Sequence, residues 1–315
     1  MPDEDQPAIV LDGVSARSGR EFTLGPLDAA IPRGWTTAIV GTNGSGKSTL
    51  FRALLGLAPL AQGKLEVLGT QVRPGCDERY KEKIGFVSEN GHGCENSMTA
   101  KEKAAFASAW YPAWDPPYYR RLVRQFDIDE KTKLGKLSKG MRRKAELAVA
   151  MAHRPDLLLL DEPTSGLDPM IWKIWLEELR TYLADGDKTL LIATHITEEV
   201  RRLADYVLFL HRGRILAHYE KDRLFDEWRE LLVQGTGMMS EADAVRLLEE
   251  TPGICRVERD GPGLYRAQAN GAGQAGRLAS RLDVYGFRTL ESRRMELEDI
   301  LSCMIQKEDK NLEPA

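Results

Sequence analysis

The sequence predicts an α/β fold built on a parallel sheet, followed by a smaller α+β unit. Three observations lead there. Short apolar runs bounded by glycine recur along the first two thirds of the chain, as strands buried on both faces do. Stretches of helical periodicity separate those runs, and that alternation makes neighbouring strands parallel. After Leu231 the composition changes, and Gln234-Gly235-Thr236-Gly237 reads as a hinge between two domains. A length of 315 residues fits two domains of about 150 residues each.

Residues 8–11 and 35–40 read as the first strands, the second a β-branched and apolar run ending in Gly41. Leu50, Leu54, Leu55 and Leu57 then mark one face of a helix. Residues 64–68 and 84–87 read as strands close to glycine punctuation. From about 89 to 137 the pattern turns helical, interrupted by Pro112, Pro116 and Pro117, and reads as a helical subdomain. Asp156 precedes the run Leu157-Leu158-Leu159-Leu160, too short to stand alone as a helix. Residues 189–193 and 206–210 are two further buried strands. Residues 1–232 thus form the first domain. Residues 235–315 form the second, with a helix at 241–250, a hairpin turning at Asp260-Gly261-Pro262-Gly263, a loop at 271–276, another helix, and a strand at 287–290. Nothing repeats the first domain, so one copy of its machinery is expected.

Composition narrows the function. Hydrophobic residues make up 42% and charged residues 29%, ordinary for a soluble globular chain. Lys+Arg at 44 against Asp+Glu at 48 gives −4, which offers no general electrostatic grip on nucleic acid. No apolar run approaches the ~18 residues of a membrane span, and the acidic start MPDEDQP lacks a signal-peptide pattern. Cys76, Cys94, Cys255 and Cys303 lie far apart in sequence without CxxC spacing, which argues against zinc or a disulfide framework and for a reducing cytoplasm. Any membrane role is therefore expected to come through a partner.

Three motifs carry chemistry. Gly41-Thr42-Asn43-Gly44-Ser45-Gly46-Lys47-Ser48-Thr49 matches G-x-x-x-x-G-K-[ST] between a strand and a helix. Its glycines let successive N–H groups curl round phosphates, and the helix N-terminus adds favourable partial charge. Lys47 suits the β- and γ-phosphates, and the Ser48 hydroxyl suits Mg²⁺. Taken alone, the loop specifies a nucleoside triphosphate and nothing finer. The leucine run at 157–160 delivers Asp161 and Glu162 to the crevice at a strand's carboxyl end. Asp161 suits a Mg²⁺ shell, and Glu162 suits polarising a water for in-line attack on the γ-phosphate. An Asp-Glu pair after leucines is by default a solvated turn, and the phosphate loop upstream changes that balance. Lastly, Ser138 in Leu137-Ser138-Lys139-Gly140-Met141 stands where a helix begins, with Met141, Ala145, Ala148, Val149 and Ala152 on one face. A serine there is an ordinary N-cap, and an N-cap is also an anion site.

In this order and spacing the motifs resemble the ATPase subunit of ATP-binding cassette (ABC) transporters, over roughly residues 8–220. The loop at 41–49 resembles Walker A, residues 137–141 the LSGGQ signature, and residues 157–162 Walker B with its glutamate. Ser165-Gly166-Leu167-Asp168 resembles the D-loop, and His195, after Ala193-Thr194, the switch histidine. The resemblance implies a P-loop NTPase fold of the ABC type, ATP and Mg²⁺ as ligands, and a head-to-tail dimer. In that dimer ATP lies between the residues from Gly41 to Thr49 of one subunit and Ser138 and Gly140 of the other. Glu162 and His195 are the implied catalytic pair, and Ser48, Glu89 and Asp161 the implied metal ligands. The implied partners are an integral membrane permease and a second cassette, as homodimer or as heterodimer with a related ATPase. Nucleic acid is not among them, and the implied location is the cytoplasmic face of the membrane.

Three positions depart from the family pattern. The glutamine after the strand at 84–87 is Glu89 here, which still offers an oxygen to Mg²⁺ but adds negative charge near Asp161 and Glu162. The signature reads Ser138-Lys139-Gly140-Met141, so the family's glutamine contact is lost. Ser18, before Gly19, occupies the place of the adenine-stacking aromatic, so Phe22 substitutes or the stacking is missing. The signature variant, the four leucines, Trp110-Tyr111-Pro112-Ala113-Trp114-Asp115 and Leu297-Glu298-Asp299-Ile300 resemble bacterial single-cassette ATPases that pair with a separate permease, usually for export.

Other features read as structural. His92, His153, His211 and His218 have no clustered partners, and Trp172 and Trp175 fit a helix core. Residues 110–119 fit the core of the helical subdomain, with permease contact the less favoured reading. Arg142-Arg143-Lys144 fits a solvated helix face, placed where it can also help hold the partner's ATP. The alternative function is a soluble ABC ATPase acting on ribosomes or nucleic acid. The ribosomal type usually carries two cassettes, and the DNA-repair types carry long coiled coils or zinc cysteines. A P-loop small-molecule kinase accounts for the loop but not for Ser138, Glu162 and His195 together.

Overall fold

Apolar runs too short for helices lie side by side as strands in the first part of the computed structural model. It describes residues 6–18, 22–91, 93–164, 167–184, 186–237, 239–270 and 275–312. Gly19, His92, Ser165, Gly166 and residues 271–274, named above, lie outside the described residues. The chain divides into two units, residues 1–218 and 219–315.

The first unit runs β1 (Ile9–Ser18), β2 (Phe22–Ile31), β3 (Thr36–Val40), α1 (Lys47–Leu54), β4 (Leu60–Val67), β5 (Thr70–Gln71) and β6 (Ile84–Val87). Then come α2 (Ala100–Ser108), α3 (Pro116–Gln125), α4 (Lys139–Met151), β7 (Leu157–Asp161), α5 (Pro169–Leu183), β8 (Thr189–Thr194), α6 (Thr197–Leu203), β9 (Tyr206–His211) and β10 (Arg214–Glu220). Six strands form one sheet in the order β10-β9-β3-β8-β7-β6, parallel from β9 to β6. A second, antiparallel sheet is ordered β2-β1-β4-β5. Leu157, Leu159, Leu191 and Ala193 share one core with α1 and the antiparallel sheet, while Leu158, Leu160, Leu190 and Ile192 are equally buried outside it. Both faces of the parallel sheet are therefore covered, which is why its strands read as continuous apolar runs.

Between β6 and β7 the helical segment has its own small core of Ala100, Leu134 and Ala145. Pro116 and Pro117 start α3 rather than break a helix, behind the Asp115 cap. Ser138 caps α4, accepting a hydrogen bond from Met141 N–H at 3.2 Å. From Arg143 to Met151 every residue of α4 is buried, so the helix is covered all round. That corrects the solvated-face reading: Arg143 is 2% exposed and Lys144 9%. Trp175 is fully buried in α5. His153 is buried too, stacked on Tyr111 at 3.8 Å and 3.2 Å from Ile84 O.

The second unit holds α7 (Lys221–Glu227), β11 (Trp228–Gly235), α8 (Glu241–Glu249), β12 (Ile254–Gly261), β13 (Leu264–Asn270), α9 (Ala275–Val284), β14 (Phe287–Arg294) and α10 (Leu297–Leu312). The order β12-β13-β11-β14, all antiparallel, with a βαββαβ succession from β11 to β14, is a ferredoxin-like topology. Leu231, Val233, Leu248, Tyr265, Ala267, Leu282 and Phe287 build its core. The hinge expected at 234–237 is thereby displaced. Gln234 and Gly235 end an inner strand, paired with β13 and β14, and the second unit starts at Tyr219. The alternation Leu231, Val233, Gly235 belongs to that sheet, not to the end of the first domain.

Candidate functional site

Three loops leaving the carboxyl ends of β3, β7 and β8 converge on one cleft of ≈ 480 Å³. Its lining contains Phe22, the stretch from Asn43 to Thr49, Glu89, Asp161, Glu162 and His195. Parallel strands place their carboxyl ends at one edge, so residues distant in sequence meet there.

The phosphate loop needs its glycines for stated reasons. Gly44 and Gly46 have φ of 78° and 112°, the left-handed region that only glycine enters without strain. A Cβ on Gly41 would lie 2.2 Å from Leu210 O and 2.6 Å from Ser45 Oγ, so side chains are excluded there. Gly46 is the N-cap of α1, and the first turn of that helix, Lys47, Ser48 and Thr49, lines the cleft, where a helix start carries N–H groups without helical partners. Lys47 Nζ donates to Gly41 O at 2.8 Å and Thr42 O at 3.4 Å, and stands 3.7 Å from Glu162 Oε1.

Opposite the loop, β7 ends at Asp161, 3% exposed, hydrogen-bonded to the Ser48 hydroxyl. Burial, reinforced by the charges of Glu89 and Glu162, raises the Asp161 carboxyl above the ordinary range, against the Ser48 bond. Asp161 Oδ1 is buried without a hydrogen-bond partner among the described residues. An orphan buried acceptor beside a hydroxyl and two more carboxylates fits a hard cation such as Mg²⁺, which takes few protein oxygens and completes its shell from phosphates and water. Among the described residues no group of three His, Cys, Asp or Glu stands together as a metal cage by itself.

Glu162 follows in a left-handed conformation, φ 47°, its N–H held by Ala193 O at 2.9 Å. Such a bend in a non-glycine residue costs about 1–3 kcal/mol and persists where surrounding bonds fix it. It leaves the carboxylate 2.7 Å from His195 Nδ1 through Oε2. His195 is 62% exposed at the side chain and Glu162 8%, so the pair joins a buried acid to a solvent-facing imidazole.

Every catalytic and metal candidate from the sequence lines this cleft, and Gly41 and Thr42 support it from behind. Ser138 and Gly140 are not among its lining residues and stand at the start of α4. Phe22 does line it, with its ring 3.0 Å from a Cβ built on Gly46. Two residues escaped the sequence reading. Arg143 donates to the carbonyls of Ser88, Glu89 and Glu162. Glu199, 1% exposed, accepts from the Thr164 hydroxyl through Oε1, and burial pushes its carboxyl up to about 7. For Arg143 the pointer was slight, the apolar run 147–151 on the same helix, set against three successive basic residues that read as solvated. For Glu199 there was none.

Fold and loop together define a P-loop nucleoside triphosphatase. The family model described as "ABC transporter" matches residues 24–165. The Nod factor export ATP-binding protein I of Rhizobium leguminosarum bv. viciae is 36% identical over 233 residues, 70% of this chain and 71% of that protein. Its namesake from Rhizobium sp. (strain N33) is 31% identical over 310 residues, 96% of this chain and 98% of that one. A solved structure of the ATP binding subunit of an ABC transporter superposes with a TM-score of 0.63 at 26% identity, covering 70% of this chain and 92% of that one. The chain belongs to the ABC transporter family, as an ATP-binding and ATP-hydrolysing cassette.

Proposed function

We propose that the chain drives export through a separate membrane permease, by closing on ATP as a head-to-tail dimer and reopening after hydrolysis. The observation that carries the hydrolytic part is the 2.7 Å contact between Glu162 and His195 at the rim of the phosphate cleft. In this reading Glu162 accepts a proton from the attacking water, and His195 fixes the orientation of its carboxylate. The phosphate loop from Gly41 to Thr49 binds the triphosphate, with Lys47 supplying charge. Ser48, Asp161 and Glu89 hold Mg²⁺, which when bound offsets charge on the transferring phosphoryl group. Ser138 and Gly140 meet the nucleotide of the partner cassette across the dimer, whether that partner is a second copy or a related ATPase.

Export as the direction is supported by the relatives, which are named export proteins. No helix among the described residues is long and apolar enough to cross a membrane, and in this reading the permease supplies the translocation path. A second cleft of ≈ 350 Å³ supports where that partner docks, with Phe106 and Trp110 61% and 67% exposed on its lip. The cassette then works at the cytoplasmic face of the membrane.

Glu162→Gln tests the reading. The variant keeps ATP affinity and loses turnover by roughly 100-fold or more, because the water loses its base while the cradle stays. With ATP it doubles in mass by light scattering. Turnover at the wild-type rate would remove Glu162 from the mechanism.

A further inference from the structure

Arg142 and Arg143 follow the signature directly, and both reach back to the segment after β6. Arg143 Nη2 donates to Glu89 O at 2.7 Å and Glu162 O at 3.4 Å, and Nη1 donates to Ser88 O. Nη1 also stands 3.5 Å from Glu146 Oε2. Arg142 turns to the far end of the same loop: Nη1 donates to Asn96 Oδ1 at 2.6 Å, Nε to Glu146 Oε1 at 2.8 Å, and Nη2 lies 3.9 Å from Glu95 Oε2. Between the two anchors, a Cβ on Gly91 would come 2.2 Å from the Arg142 guanidinium, so the loop backbone lies directly against it.

Burying a guanidinium at 2% exposure is unfavourable unless its donors are satisfied. Burial does lower the affinity of Arg143 for its proton, opposed by Glu146, Asp161 and Glu89. Here Nη1 and Nη2 donate to main-chain carbonyls of the residues that flank and include the proposed metal and water ligands, while Nε is buried without a hydrogen-bond partner among the described residues. A planar fork can span three carbonyls, and a lysine ammonium of similar reach cannot hold the same geometry.

We propose that Arg142 and Arg143 are positioning residues that clamp residues 88–91 and 95–96 and the turn at Glu162 to the signature helix, so that Glu89 and Glu162 are positioned from the helix that Ser138 caps. This rests on the function proposed above. Its physical content is that α4 transmits the state of one nucleotide site to the signature presented to the other. A purely architectural role would instead lower stability without a selective effect on turnover or on dimer closure.

The test uses the full chain. Arg143→Gln is expected to lower kcat about 30-fold while KM for Mg-ATP stays within about threefold. Arg143→Lys, which keeps the charge but not the fork, recovers less than about threefold of that loss. In the Glu162→Gln background, Arg143→Gln raises about tenfold the ATP concentration that half-converts monomer to dimer. Binding of a fluorescent ATP analogue to the monomer stays within about twofold of wild type. Gly91→Ala displaces the part-buried Arg142 guanidinium at the other anchor, leaves the Arg143 contacts in place, and lowers kcat about fivefold at an unchanged unfolding midpoint. Wild-type kcat in Arg143→Gln, or full rescue by Arg143→Lys, overturns the clamp. So does an equal loss of nucleotide affinity and turnover, and if Arg143→Gln fails to fold, wild-type kcat in Gly91→Ala does the same. Turnover by Glu162→Gln alone would instead overturn the assignment of Glu162, whatever the arginine variants do.

Discussion

Single residues in this cassette are tuned by what buries them, and His153 gives the cleanest case. Its imidazole is 1% exposed, and burial lowers its pKa to about 4. An unfolded histidine takes up its proton near 6.5 while the folded one stays neutral, so below that pH the unfolded chain holds more protons. Stability from this residue is therefore full above about pH 6.5 and lost as pH falls toward 4, by about 3 kcal/mol in all. Glu199 acts in the opposite sense: its raised carboxyl binds a proton in the folded state between its ordinary value and about 7, so its contribution falls as pH rises. Comparing denaturant unfolding of wild type and His153→Gln across pH 4–7 isolates the histidine. A constant difference between the two proteins would show that His153 titrates alike in the folded and unfolded chain, so that burial does not lower its pKa.

At the scale of elements, α4 couples a local device to a distant one. Its N-cap serine satisfies Met141 N–H, and Ser138→Ala should lower the unfolding free energy by about 1 kcal/mol. Ser138→Arg should cost about the same and in addition abolish the ATP-dependent mass doubling of Glu162→Gln, because bulk and charge meet the partner's nucleotide. Mass doubling that survives Ser138→Arg would place the signature outside the dimer interface. The elements also show which signals a sequence carries. β3, β6, β7, β8 and β9 were legible because strands buried on both faces leave uninterrupted apolar runs, and the phosphate loop and Asp161-Glu162 were legible because they sit at the ends of such runs. β2 was not, since Gly25 and Pro26 stand in its middle and read as a turn. The burial of Arg143 was hidden by composition: three successive basic residues look solvated until their donors are counted against the carbonyls of loops more than fifty residues earlier.

On the scale of the whole chain, the division at Tyr219 and not at Gln234 changes how the protein can be cut. A chain ending at Gln234 would carry β11 without β13 and β14, leaving Trp228, Leu231 and Val233 exposed on an unpaired strand. It should aggregate, whereas a chain ending at Glu220 should stay soluble and bind ATP with unchanged affinity. Measuring solubility and nucleotide binding of both truncations checks this, and a soluble Gln234 product beside an insoluble Glu220 product would return the boundary to the glycine-rich segment. The central strands carry a different consequence, one visible on a clock. Every residue of β3, β7 and β8 is buried, and each strand is paired on both edges. Their amides can trade hydrogen for deuterium only when the whole first unit opens, so in heavy water they form a slow stripe. The loops that hold phosphate begin one residue beyond that stripe. Nucleotide binding is thus an event of fast-exchanging peptide bonds anchored to the slowest ones, and protection on adding ATP should begin abruptly at Gly41, with no gradient leading up to it from β3.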